Sequence, residues 1–249
     1  MKQLVAYVTT GFPSVEFTVD AALALKEAGV DTLELGIPFS DPVADGPVIE
    51  EANLKALQHG FTMRQLLEVS RRIAPHIETL WMGYFNPFYH KGMDLFIKEA
   101  DDADVKGFII PDLPFEEAQP YKPAINEAGL DLIDFIAPTD PKERIARIAS
   151  QATRFIYLVA YAGITGAAHE EDLSHTVSTI KEYTQTPVYV GFGVTPETAE
   201  RKAQGVDGVI VGSAFIKTLL DDTLTQTQKI TRMAQTARII KEKINTRSH

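Results

Sequence analysis

Ala28-Gly29-Val30-Asp31-Thr32-Leu33-Glu34-Leu35-Gly36-Ile37 runs from the end of an apolar-striped helix, across a glycine, into a short strand. Leu33, Leu35 and Ile37 alternate onto one face, leaving Thr32, Glu34 and Gly36 on the other. The same helix-to-strand connection recurs at Ala128-Gly129-Leu130-Asp131 and Gln204-Gly205-Val206-Asp207, with glycine where a helix C-terminus favours it. Working outward, strand-like windows fall at 4–9, 32–37, 79–83, 107–111, 132–137, 155–160, 188–191 and 208–211. Amphipathic stretches separate them: Val15, Val19, Ala22 and Leu23 form one helical stripe, and Ile230, Met233, Ala234, Ala237 and Ile240 another. Thr195-Pro196-Glu197 and Asp140-Pro141-Lys142 read as an N-cap followed by proline at the first helical position.

Eight such units in 249 residues predict an α/β fold, a (β/α)₈ TIM barrel, as a single domain over 1–249. A doubly wound sheet is the alternative. It needs a Gly-rich first turn, which Thr9-Thr10-Gly11-Phe12-Pro13 is not. The chain has no cysteine, which excludes disulfides, zinc–thiolate sites and thiol nucleophiles. Its net charge of −10 disfavours nucleic acid and anionic membranes as partners. No apolar run spans a membrane and no leader pattern opens the chain, so a cytoplasmic location is expected.

Glu34 is a carboxylate inside a strand, costly unless paired or neutralised. Lys2, Lys106 and Arg154 all lie at strand starts, the opposite end of a barrel from its active site. Glu34 is therefore a candidate acid–base with a raised pKa. Asp45 follows in the turn-rich run Ser40-Asp41-Pro42-Val43-Ala44-Asp45-Gly46-Pro47. It is either a second reacting acid or the N-cap of a helix starting near Pro47. Three Gly-rich turns follow the last three strands: Gly163-Ile164-Thr165-Gly166, Gly191-Phe192-Gly193 and Val211-Gly212-Ser213-Ala214. Barrels bind phosphate at that place. None of His59, His76, His90, His169, His175 and His249 shows metal-ligand spacing, and no lysine sits within a strand to form a Schiff base. The substrate must then supply its own electron sink.

The segment from Glu34 through Pro47 resembles the signature of the tryptophan synthase α subunit family. The likeness extends to Asn86-Pro87, Pro111-Asp112-Leu113-Pro114, Tyr157-Leu158-Val159, Gly163-Ile164-Thr165-Gly166 and Gly191-Phe192-Gly193. It implies a lyase that cleaves indole-3-glycerol phosphate to indole and glyceraldehyde 3-phosphate by a retro-aldol reaction, in tryptophan biosynthesis. C3 protonation would turn the indole into the missing sink. The resemblance gives Glu34 the acid–base role and Asp45 the charge developing on the indole N–H. Tyr7, Asp112 and Tyr157 would wall or support the pocket; Thr165, Gly166, Gly193, Gly212 and Ser213 would take the substrate and its phosphate. It further implies no cofactor in this chain, with pyridoxal phosphate only in a partner β subunit, and an αββα assembly. That partner would be met through Asp41, Pro42 and Pro114. Two departures stand out: the first strand begins almost at once, where members often start with a helix, and Ala160-Tyr161 stand where many carry Ser-Arg. Rival readings are another phosphate-binding barrel, such as an isomerase, and a non-catalytic barrel that activates a partner.

Overall fold

The structure, a computed structural model, describes residues 1–159 and 173–246. Nine strands form one parallel sheet: β1 Gln3–Thr9, β2 Thr32–Gly36, β3 Glu78–Met82, β4 Gly107–Ile109, β5 Asp131–Leu132, β6 Asp134–Ile136, β7 Ile156–Val159, β8 Val188–Gly191 and β9 Gly208–Val211. Their order is β5-β4-β3-β2-β1-β9-β8-β7-β6. The ends of that order, β5 and β6, are consecutive in the chain and separated only by Ile133. They are two arms of the expected fifth strand. The lower arm pairs with β4, as Gly107↔Asp131 and Phe108↔Leu132, and the upper with β7, as Asp134↔Ile156 onward. The backbone changes partner at Ile133, and the sheet closes there into an eight-staved TIM barrel.

Alternation along each strand makes two cores. Val5, Leu80, Ile109, Ile133, Phe155, Tyr189 and Ile210 fill the barrel interior, with Met82, Phe135 and Tyr157 packed on them. Those three lie two residues beyond Leu80, Ile133 and Phe155, so they form the next layer toward the C-terminal ends. The opposite faces, including Leu33, Leu35 and Trp81, join the helices in a larger outer core. The first helix, Val15–Glu27, begins at Ser14, whose hydroxyl accepts from the Phe17 N–H at 3.1 Å. The last, Gln226–Asn245, begins with a Thr225/Gln228 capping box and buries Met233, Ala234, Ala237 and Ile240, packing on the first helix.

Gly29, Gly129 and Gly205 hold φ of +98°, +73° and +74°, the left-handed turn that the repeated connection requires. Two proline caps differ from expectation. Pro141 is itself the N-cap of Lys142–Ala149, because the Asp140 carboxylate turns back to the Ala137 N–H at 2.8 Å. At Thr195 a turn precedes the helix, which starts only at Ala199. Close packing at the top of the barrel depends on missing side chains: a Cβ at Gly36 would collide with the Tyr7 ring, and one at Gly191 with the Tyr157 ring. No described helix is long and apolar enough to cross a membrane.

Candidate active site

Glu34 lies mid-way along β2 with its side chain in the barrel, in register with Tyr7 on β1 and Leu80 on β3. It is 3% exposed, and its Oε1 is buried without a hydrogen-bond partner among the described residues. The cations near strand starts are engaged elsewhere. Arg154 bonds Glu78 at 2.6 Å and Asp131 at 2.8 Å, Lys106 pairs with Asp104, and Lys2 donates to the Ala203 carbonyl. A structural ion pair at Glu34 thus finds no cation among the described residues. Burial first, then repulsion from Asp45, lifts its pKa from 4.5 to about 8. At neutral pH it is an acid that still holds its proton.

Asp45 sits in the irregular segment between β2 and the helix Pro47–Gln58. That helix is capped by Gly46, with no side-chain cap bond, which removes the helix-cap reading. The carboxylate instead accepts from Asn53 Nδ2 at 3.1 Å, and the Tyr84 hydroxyl beside it favours its ionised form. The Tyr84 oxygen in turn accepts the Ala44 N–H at 3.1 Å. Burial raises Asp45 from 3.8 to about 6; Tyr84 and Asn53 oppose the rise, and Glu50 adds to it. Between about pH 6 and 8, therefore, Glu34 is protonated while Asp45 is ionised. Two acids whose environments separate their titrations in this way are what acid–base chemistry requires of a proton donor and an anionic stabiliser.

Tyr7 and Tyr157 close the group. Each phenol is pushed well up, chiefly by burial, with Asp45 and Glu34 both adding to the rise. Tyr157 stacks on Phe135 at 4.8 Å and meets Phe192 edge-on at 6.3 Å. The result is an aromatic cluster whose Tyr157 lies within electrostatic reach of the two acids.

Gly193 holds φ +70° directly after Phe192 at +71°, and its carbonyl accepts the Thr198 hydroxyl at 2.7 Å. Gly212 is the N-cap of Ser213–Leu219; a Cβ there would stand 3.2 Å from Ile49 Cδ1 and 3.6 Å from Tyr7 Cβ. Gly212 and Ser213 thus border Tyr7 at the rim. Thr165 and Gly166, with the preceding Ala160-Tyr161, lie outside the described residues. The Asp112 Oδ1 accepts the Phe85 N–H at 2.8 Å, holding the start of the helix Phe85–Lys91. No group of three or more potential metal ligands occurs among the described residues.

Two residues here escaped the sequence reading. Asn53 carries a weak signal, a polar residue beside Ala52 on the buried stripe of its helix. Tyr84 carries only its position past the end of β3, since its bonds reach 40 residues back to Ala44.

A family model described as tryptophan synthase alpha chain matches residues 1–245. The tryptophan synthase alpha chain of Wolinella succinogenes is 54% identical over 98% of this chain and 96% of its own length. That of Dehalococcoides mccartyi is 45% identical over 89% of each. Among solved structures, tryptophan synthase from M. tuberculosis in an aminoacrylate-bound form superposes with a TM-score of 0.86 at 33% identity, covering 98% of this chain and 94% of that one. The alpha subunit from Campylobacter jejuni gives 0.85 at 31%, covering 94% and 95%.

Proposed function

Because this chain belongs to the tryptophan synthase alpha chain family, we propose that its reaction is carried by Glu34 and Asp45. The enzyme is a carbon–carbon lyase of tryptophan biosynthesis that cleaves indole-3-glycerol phosphate to indole and glyceraldehyde 3-phosphate. The observation that supports the residue roles is the pairing of an unpartnered buried acid with an ionised, anchored one.

Glu34 gives its proton to C3 of the indole, making an indolenine with positive charge at the ring nitrogen. The Asp45 carboxylate accepts the N–H and stabilises that charge. The Glu34 carboxylate then takes the proton of the glycerol hydroxyl next to the scissile bond. The hydroxyl carbon becomes the aldehyde, and the electrons of the broken C–C bond return to the indolenine, restoring indole. Tyr157, Phe135 and Tyr7 hold the ring. Turns at Gly193, Gly212 and Ser213 take the phosphate through backbone N–H groups; Thr165 and Gly166, expected from the sequence to share this role, lie outside the described residues. Steady-state turnover of indole-3-glycerol phosphate, with and without β subunit, tests the whole reading. It separates the lyase from a phosphate-binding isomerase and from a barrel that only activates a partner.

Gly212→Val tests the phosphate turn. Gly212 has an ordinary φ of −117°, and the nearest obstacle is the flexible end of Ile49. The variant should fold with little loss of thermal stability. KM should rise and glycerol phosphate affinity fall by about tenfold, as one amide contact is displaced. Unchanged affinity in the folded variant would move the phosphate elsewhere.

The family name implies a β-subunit partner; on our reading the two assemble as αββα, and indole passes directly to pyridoxal phosphate held in β. Asp41, Pro42, Pro114 and the 86–89 segment lie beyond strand C-termini, at the active-site end of the barrel. Val43 and Tyr89 in the same loops are 79% and 66% exposed, apolar surface suited to being covered. Added β subunit should raise cleavage about tenfold or more. Pro42→Gly should reduce that activation more than the basal rate. Equal rates with β demonstrably bound would contradict the coupling.

A further inference from the structure

We infer that Tyr84 is a positioning residue that holds Asp45 and its loop in the reactive arrangement, and that Asp112 anchors it from the next loop. This rests on the reading that Asp45 acts in the reaction.

One hydroxyl acts at two places with different consequences. As acceptor from the Ala44 N–H at 3.1 Å, it fixes the backbone of the loop one residue before the acid. Beside the Asp45 carboxylate, it favours the ionised form of the acid. Asn53 donates to that carboxylate at 3.1 Å from the helix that follows. The Tyr84 ring is 1% exposed and stacks on Phe39 at 5.4 Å and 25°, so the hydroxyl is held at a defined place relative to the exit of β2. Tyr84 is also the N-cap residue of Phe85–Lys91. The first N–H of that helix is held by Asp112, and Phe85 packs against Tyr121 at 5.3 Å. The loops after β2, β3 and β4 are therefore joined in one bonded chain, Asp112 to Phe85–Tyr84 to Ala44–Asp45. A displacement of the helix that carries exposed Tyr89 moves the group that orients the acid. That is a physical route from an exposed surface to the Asp45 carboxylate.

The groups that act on Asp45 from its surroundings are Tyr84 and Asn53, which favour its ionised form, and Glu50 on the helix that follows, which opposes it; Asp45 in turn acts on Glu34, Tyr7 and Tyr157 across the barrel. Replacing the hydroxyl alone therefore has a signed result. Losing a group that favours the ionised carboxylate raises its pKa, so the acidic limb of the rate profile must move to higher pH.

The test compares Tyr84→Phe, Tyr84→3-fluorotyrosine and Asp45→Asn, all with thermal melting as a check on folding. The phenylalanine keeps the stack on Phe39. It should lower kcat about tenfold to a hundredfold with KM changed far less, and shift the acidic limb up by about half a unit or more. Fluorotyrosine, a stronger donor in a side chain of nearly the same size, should shift the limb the other way. A role confined to packing would move neither limb. Wild-type kcat and an unmoved acidic limb in Tyr84→Phe, beside a crippled Asp45→Asn, would overturn this inference alone. A fully active Asp45→Asn would overturn the reading beneath it.

Discussion

Glu34→Gln is expected to abolish turnover while leaving the fold and ligand binding intact. The amide preserves the shape of the side chain, but it carries no transferable proton. Loss of a general acid–base costs about 10²–10⁴-fold, and more where one group serves two steps. Here it serves both the protonation of C3 and the deprotonation of the hydroxyl. The basic limb of the pH profile should vanish with it, because the acid that must be protonated is lost as pH rises through about 8. Stability should move the other way. A carboxyl whose pKa is raised on folding stabilises the fold fully only below its unfolded value, and that contribution is lost as pH rises toward the folded one. Between the ordinary 4.5 and neutral pH the wild type loses about 3 kcal/mol relative to the amide, at 1.36 kcal/mol per unit. Glu34→Gln should therefore melt higher at pH 7 by several degrees while being inactive. A turnover rate within about threefold of wild type would remove Glu34 from the mechanism.

The contrast between Glu34 and Asp134 marks how far sequence can be taken. Both are carboxylates inside strand windows, both are buried, and both have raised pKa values with burial as the main cause. Asp134 faces the helix layer, where Lys122 bonds both its oxygens at 2.7 and 2.9 Å, and the pair is structural. Glu34 faces the barrel interior with no such cation. Strand alternation gives the face, and the face decides the role. It was legible for β2 because Leu33, Leu35 and Ile37 define the other side without ambiguity. The run 132–137 is equally regular, yet its backbone changes neighbours at Ile133. That break comes from the stagger of the closing barrel, set by β4 and β7 rather than by the run itself. Each strand window holds a strand, though 107–111 shortens to Gly107–Ile109 and 132–137 divides; these windows, the glycine connections and the first and last helices rest on local signals. The clamp on Asp45 was not legible, because Tyr84 and Asn53 are ordinary residues until the fold brings them to one carboxylate. The misplaced cap at Asp140 has a local cause: its side chain accepts the Ala137 N–H within its own turn.

Asp45→Asn separates charge from shape at the second acid. Asn caps a helix about as well as Asp, but Gly46 already holds that position, so the substitution should leave the helix Pro47–Gln58 in place. Asn can still accept the bond now given by Asn53. What disappears is the negative charge opposite the nitrogen that becomes cationic in the transition state. In a water-poor site such a charge is worth about 10²–10³-fold in kcat, whereas ground-state indole binding needs only an acceptor and should weaken little. Two changes in the pH profile follow. The acidic limb near pH 6, which reports ionisation of Asp45, should disappear. The basic limb should move below its wild-type position, because Asp45 repulsion is one of the two causes holding Glu34 up near 8. Removing one acid thus shifts the other, as interacting sites require. A residual basic limb that stays where it was would mean the two carboxylates do not sense each other, and would end the account of them as a coupled pair.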